Sequence, residues 1–176
     1  MSPDALSRRS VLAAGAALAA APSVLAAQTQ PLLTKPIPHS GERLPVVGIG
    51  TARVFDFEND PKAFAEREGV LRNLAAGGGR LIDTAPAYGR AEARLGELFE
   101  STRLRSQFFL ATKVAASASR EEQTAQMRAS QQKLKTQTFE LMQLHNVSNV
   151  NTDLGLLRDW KAQGICKYVG MTTTFD

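Results

Sequence analysis

The sequence predicts an α/β protein built on a parallel sheet with helical crossovers. Three observations carry the prediction. Short apolar runs alternate with helix-period segments in the order β-α-β-α-β-α-β-α-β. The connections between them are short, as crossover units require. The run 46–51 is apolar on both faces, which suits a strand covered on both sides. An apolar content of 43% is enough for a packed core.

Composition excludes several classes. The formal charge is only +4, and no Lys/Arg run interleaved with aromatics occurs, so nucleic acid is not an expected partner. Cys166 is the single cysteine, which rules out an intrachain disulfide framework. No CxxC or HExxH pattern occurs, so no metal is expected.

Residues 1–26 read as a segment apart from the rest. Ser7-Arg8-Arg9-Ser10-Val11-Leu12 precedes an alanine-rich run that ends in Val24-Leu25-Ala26. At about 15 residues the run is too short and too weakly apolar to span a bilayer, so stable membrane insertion is not expected. Small residues at its end suit a signal peptidase. The paired arginines resemble a bacterial twin-arginine signal. The expectation is a signal peptide over 1–26, handled by the twin-arginine export machinery, with residues 27–176 delivered to the periplasm or beyond. An ordinary secretory signal and a plain alanine-rich tail are the alternatives.

The globular part follows in order. Ser40-Gly41 is a turn signal between 33–35 and 43–44, giving a small hairpin. The run 46–51 is the first strand of the alternation. Asn59-Asp60-Pro61 opens a helix with a capping side chain and a proline that forfeits no hydrogen bond. Phe64, Leu71, Leu74 and Ala75 share its core face, and Gly77-Gly78-Gly79 stops it. A strand over 80–84 comes next, then a helix marked by Ala91, Leu95, Leu98 and Phe99. After a strand at 108–114, Ser119-Arg120-Glu121-Glu122 fits a capping box. The helix behind it has Met127, Ser130 and Leu134 inward. A strand at 139–144 runs into His145. Leu154, Leu157 and Trp160 mark the fourth helix, closed by Gly164, and the last strand is 167–173. Such an alternation has two common solutions, a doubly wound sheet and a (β/α)₈ barrel. Gly48-Ile49-Gly50 does not continue into a Gly-x-Gly-x-x-Gly helix start, which argues against a dinucleotide-binding doubly wound sheet.

Alternation along the strands puts Leu81 with Asp83, Phe109 and Ala111 with Lys113, and Leu141 and Gln143 with His145. In each set the polar residue comes last. Asp83, Lys113 and His145 are therefore expected at the same end of three successive strands, with Tyr88 on the loop above. In barrels that end gathers catalytic residues. Each residue alone has an ordinary reading: a turn aspartate, a lysine reaching solvent, a satisfied histidine, a packed tyrosine. Four in this order are not expected by chance. A phenol is a poor proton donor at neutral pH, and an ammonium beside it stabilises the phenolate. Asp83 would keep Lys113 charged, His145 would orient a substrate oxygen, and Tyr88 would deliver a proton to a carbonyl oxygen.

These residues lie in segments that resemble the aldo-keto reductase family. The carriers are Val47-Gly48-Ile49-Gly50-Thr51, Ile82-Asp83-Thr84-Ala85-Pro86-Ala87-Tyr88-Gly89, Leu110-Ala111-Thr112-Lys113-Val114, Leu141-Met142-Gln143-Leu144-His145 and Tyr168-Val169-Gly170-Met171. The resemblance implies a (β/α)₈ barrel that uses NADPH, or less often NADH, to reduce aldehydes or ketones. Asp83, Tyr88, Lys113 and His145 match the family's catalytic tetrad, with Tyr88 as the proton donor. Gly50, Thr51 and Asp83 match cofactor contacts. Thr172 and Thr173 stand where the family has a serine and an asparagine that hold the nicotinamide carboxamide. Thr172 can replace the serine hydroxyl; Thr173 cannot replace the asparagine's amide.

Length sets a further expectation. A (β/α)₈ barrel takes about 250 residues, whereas removing 26 of 176 leaves 150. About five of eight βα units are written here, behind the hairpin. A chain of this extent is expected to leave open sheet edges, to self-associate through them, and to grip the cofactor weakly. A non-catalytic, nucleotide- and partner-binding relative and an inactive fragment are the competing readings.

Overall fold

The computed structural model describes residues 32–149 and 152–173. The expected signal segment, including Arg8 and Arg9, lies outside the described residues. The chain enters as a two-stranded antiparallel hairpin, β1 (Thr34–Pro36) and β2 (Arg43–Pro45), with Lys35 opposite Leu44. The Arg43 guanidinium fastens it by donating to the Thr34 hydroxyl and carbonyl at 2.8 and 2.9 Å.

Five parallel strands follow, paired in sequence order: β3 (Gly48–Gly50), β4 (Leu81–Asp83), β5 (Phe109–Ala115), β6 (Phe139–His145) and β7 (Cys166–Met171). Helices α1 (Pro61–Ala76), α2 (Ala91–Thr102), α3 (Arg120–Leu134) and α4 (Gly155–Ala162) make the four crossovers. This is the α/β architecture expected from the alternation.

Side chains cap the starts of α1 and α3. The Asp60 carboxylate caps α1 by accepting from Lys62 N at 2.9 Å. At α3 the Ser119 hydroxyl accepts from Glu122 N, and the Glu122 carboxylate accepts from Ser119 N. Two orphan amides are thereby satisfied reciprocally. No glycine closes α2 or α3; Arg103 and Lys135 take left-handed φ values of 59° and 52° instead.

The core lies on one face of the sheet. Ile82, Leu110, Val114, Met142 and Leu144 point outward from alternate strand positions and are all fully buried. Against them pack Leu71 of α1, Leu95 and Leu98 of α2, Met127 and Leu134 of α3, and Leu157 and Trp160 of α4. Each such side chain contributes about 1.5–3 kcal/mol by leaving water. Helices α2 and α3 touch closely, because Gly96 lies against the backbone carbonyl of Lys133.

The opposite, inward face begins with Leu81, Phe109, Leu141 and Tyr168. With hairpin residues Ile37, Pro38 and Leu44 they line a cavity of about 680 Å³. Tyr168 closes it. Its ring stacks on Phe109 at 5.8 Å, and its hydroxyl lies 2.7 Å from the Glu42 carboxylate and 3.0 Å from Ser40 Oγ. Lys167 pairs with the same carboxylate at 2.6 Å, and these partners hold Glu42 below its ordinary value.

The first strand of the sheet is shorter than its apolar run predicts. Only Gly48–Gly50 join the ladder, while Val46 and Val47 are 43% and 68% exposed. The backbone explains the difference. Val46 N donates to Leu33 O, so that stretch still belongs to the hairpin, and pairing with β4 begins where Gly48 meets Leu81.

Candidate active site

The ladder registers decide where the polar residues fall. Asp83 is level with Ala111, Lys113 with Gln143, and Ala115 with His145. Each functional residue is therefore two positions further along than the one on the preceding strand, roughly 6–7 Å at strand rise. The strands put all three at one end, staggered as tilted barrel strands are. Side-chain length closes the first gap. Lys113 is 2% exposed, and its ammonium reaches back to Asp83 Oδ2 at 2.7 Å and to the Thr84 carbonyl at 2.9 Å. The Gln143 amide approaches the other Asp83 oxygen at 3.4 Å.

Tyr88 sits on the loop between β4 and α2, and hydrogen bonds fix that loop at both ends. Tyr88 N donates to Ala85 O at 3.0 Å, and Ala91 N donates to Tyr88 O at 3.1 Å. Gly89 follows with φ 60°, and a Cβ there would stand 2.4 Å from Asp56 Oδ2. Only glycine meets both conditions. The same Asp56 carboxylate accepts from Arg90 N at 3.0 Å, and the Arg90 guanidinium pairs with Glu58 at 2.6 Å. The Tyr88 ring meets His145 edge-to-face, centroids 5.8 Å apart, and lies 4.8 Å from the Lys113 ammonium. The four residues expected together from sequence are thus brought together.

Electrostatics sets the state of the imidazole. Burial lowers the pKa of His145 from its ordinary value, and the Lys113 ammonium lowers it further against the opposing pull of Asp83. His145 is therefore neutral at pH 7, with one ring nitrogen able to donate. The thiol of Cys166 is remote from this cluster, and burial pushes it up to about 11. Thiolate chemistry at neutral pH is excluded there. Among the described residues no cluster of His, Cys, Asp or Glu could hold a metal ion, and no helix is long and apolar enough to cross a membrane.

The expected cofactor contacts divide. Gly50 is exposed, and nothing lies within 4 Å of where its Cβ would stand, so a ligand can approach the backbone. Thr51 is fully buried, and both its amide and its hydroxyl donate to Asp83 O at 3.1 Å. Its hydroxyl therefore joins β3 to β4. The Thr172 hydroxyl accepts from Asn146 N at 3.1 Å, while Thr173 is exposed. Sequence reasoning missed Gln143 as a partner of Asp83. Gln143 was legible as an inward residue two positions from His145.

A sequence model of the Aldo/keto reductase family matches residues 46–175. The chain belongs to the aldo/keto reductase family. Solved aldo-keto reductases share its architecture. A putative aldo-keto reductase from Pseudomonas aeruginosa is 27% identical with a TM-score of 0.68, matching 80% of this chain and 59% of its own. A thermostable aldo-keto reductase solved with the inhibitor epalrestat is 26% identical with a TM-score of 0.69, matching 82% and 55%. An aldo-keto reductase from Klebsiella pneumoniae, solved with NADPH, is 21% identical with a TM-score of 0.66, matching 81% and 51%. The chain thus spans between half and three fifths of the length of these aldo-keto reductases. No curated protein sequence matches it significantly.

Proposed function

We propose that the chain carries the proton-transfer machinery of a nicotinamide-dependent reduction of aldehydes or ketones, with Tyr88 as the proton donor. The observation that supports this reading most is the placement of Lys113. Its ammonium is buried, held by Asp83 and the Thr84 carbonyl, and faces the Tyr88 ring at 4.8 Å. A cation fixed there favours the charge that develops on the phenol oxygen as its proton leaves. Neutral His145, edge-on to the same ring, can donate to a carbonyl oxygen and orient it. Tyr88 then gives its proton to that oxygen as the C=O π pair moves onto it.

NADPH, or less often NADH, supplies the hydride when bound. The open backbone at Gly50, the hydroxyl of Thr172 and the exposed Thr173 fit a polar ligand at this end of the sheet. Asp83 serves from beneath by holding Lys113. The test is Tyr88→Phe, which keeps the ring and removes the proton. Loss of general acid catalysis lowers kcat by about 10²–10⁴-fold, with NADPH binding retained. Unchanged turnover in Tyr88→Phe removes Tyr88 from this role. NADPH binding without turnover in the parent chain supports the non-catalytic relative instead.

Export and self-association complete the reading. Arg8-Arg9 ahead of an apolar run motivates twin-arginine export to the periplasm. Replacing both arginines by lysine should retain the precursor in the cytoplasm, and normal export of that variant would discard the route. Val46, Val47 and Met171, on or beside the outer strands β3 and β7, are 43–68% exposed and motivate pairing with a second copy. Light scattering of residues 27–176 tests it; a monomer at all concentrations refutes it.

A further inference from the structure

Behind the sheet lies a buried carboxyl group that the chemistry above does not use. Glu92, the second residue of α2, is 1% exposed. Burial pushes its carboxyl up from the ordinary value. Two hydroxyls rather than a cation satisfy it. Thr112 Oγ1 donates to Oε1 at 2.7 Å, and Ser130 Oγ donates to Oε2 at 3.1 Å. Both donors are themselves 0% exposed.

The three residues come from three elements, and two of those elements carry the site. Helix α2 begins directly behind the Tyr88 loop, its first amide bonded to the Tyr88 carbonyl. Thr112 immediately precedes Lys113 in β5. Strand alternation turns Thr112 back toward the helices and Lys113 forward toward Tyr88. The Glu92–Thr112 bond therefore spans from the segment that holds the phenol to the strand that holds the ammonium. Apolar contacts between a helix and a sheet are non-directional and do not fix such a distance. A short hydrogen bond to a buried carboxyl does.

We infer that Glu92, through Thr112, is a positioning residue that sets Tyr88 against Lys113 for proton transfer. The inference rests on Tyr88 being the proton donor. It predicts that catalysis depends on the Thr112 hydroxyl, although that hydroxyl faces away from the site.

The experiment compares Thr112→Val, which keeps the shape and loses the donor, with Thr112→Ser, which keeps the donor and loses a methyl. Two readouts are taken on the full chain. The first is NADPH-dependent carbonyl reduction per folded molecule. The second is the ¹⁵N–¹H signal of the Lys113 ammonium, assigned by its loss in Lys113→Met. Thr112→Val should lower kcat about tenfold, since a 1 Å misplacement costs up to about 10²-fold. KM for the carbonyl should stay within about twofold, because the bond never touches substrate. The Lys113 signal should shift or broaden. Thr112→Ser should restore both readouts even if it melts earlier. If Thr112→Val does not fold, Glu92→Asp replaces it, withdrawing the carboxyl by one methylene and reproducing both losses. A folded Thr112→Val or Glu92→Asp with parental kcat and an unmoved Lys113 signal overturns the inference, as does a Thr112→Ser equal to Thr112→Val. If the parent chain reduces no carbonyl, the functional reading fails, and the Lys113 signal alone decides whether the brace exists.

Discussion

Removing either member of the Asp83–Lys113 pair should have very unequal effects on stability. The lysine side chain is 3% exposed and the aspartate side chain 36%. Asp83→Ala leaves a buried ammonium whose remaining partner is the Thr84 carbonyl at 2.9 Å. Breaking a buried pair this way typically costs about 3–5 kcal/mol. Water reaches this pair through the exposed side of residue 83, which reduces the expected loss to about 2–3 kcal/mol. Lys113→Met leaves the other partner, a carboxylate that water already reaches, and fills the channel with a straight apolar chain. Its cost should be about 1 kcal/mol or less. With a urea m-value of about 1–3 kcal/mol/M, the two midpoints should differ by roughly 0.5–1.5 M. The double variant gives the sharper comparison, because removing the stranded ammonium should recover part of the Asp83→Ala loss. Urea unfolding followed by circular dichroism at pH 7 reads all three. Equal midpoints for the single variants, or a double variant no better than Asp83→Ala, would show that the ammonium is not desolvated as the geometry implies.

Other consequences are as direct. His145 should titrate below 6.5, and Lys113→Met should raise that midpoint without restoring it fully, since burial is the larger cause; the imidazole Cε1–H resonance reports it. Between that lowered value and 6.5 the unfolded chain binds more protons than the folded one. Stability should therefore rise with pH across this window, and His145→Asn should flatten the slope measured by urea unfolding at several pH values. Gly96→Ala gains about 1 kcal/mol of helix propensity, but its Cβ would stand 1.9 Å from Lys133 O. Parting α2 from α3 should outweigh that gain and give a net loss of about 1–3 kcal/mol, read as a lowered Tm. Arg103→Gly should act the other way. Its left-handed φ of 59° costs a non-glycine residue about 1–2 kcal/mol, and after the unfolded-state entropy of glycine a net gain of roughly 0.5–1 kcal/mol remains. A lowered Tm for Arg103→Gly would contradict this.

Much of the architecture was legible because local rules and burial agree along most of the chain. The capping chemistry at Asp60 and Ser119, and the inward faces of Met127, Ser130 and Leu134, follow from periodicity and side-chain type alone. The grouping of Asp83, Tyr88, Lys113 and His145 was legible because strand alternation is strict, Asp83 and His145 close their strands, and Lys113 lies two residues from the end of β5. What escaped depends on distances between elements. The two-residue stagger from β4 to β6 is set by strand tilt, which no single strand records. Thr51 reads as a ligand contact until the position of the Asp83 carbonyl is known. The ends of α2 and α3 carry no glycine, so nothing in the local sequence marks the left-handed turns at Arg103 and Lys135. Val46 and Val47 look like core strand residues because apolarity alone does not say which backbone they pair with.

The hairpin joined to β7 has a consequence for how the chain is made. Glu42 and Lys167, which hold it there, are 125 residues apart. A ribosome adding about 5–20 residues per second needs roughly 6–25 s to pass from one to the other. The four βα crossovers, whose contacts are far more local, can assemble in that interval as each emerges. Among the described elements the hairpin is the first to leave the exit tunnel and among the last to find its place. Throughout that wait Ile37 and Leu44 face water or a chaperone. A substitution that weakens Glu42, Lys167 or Tyr168 would therefore lower the yield of newly made protein more than it shortens the life of protein already folded.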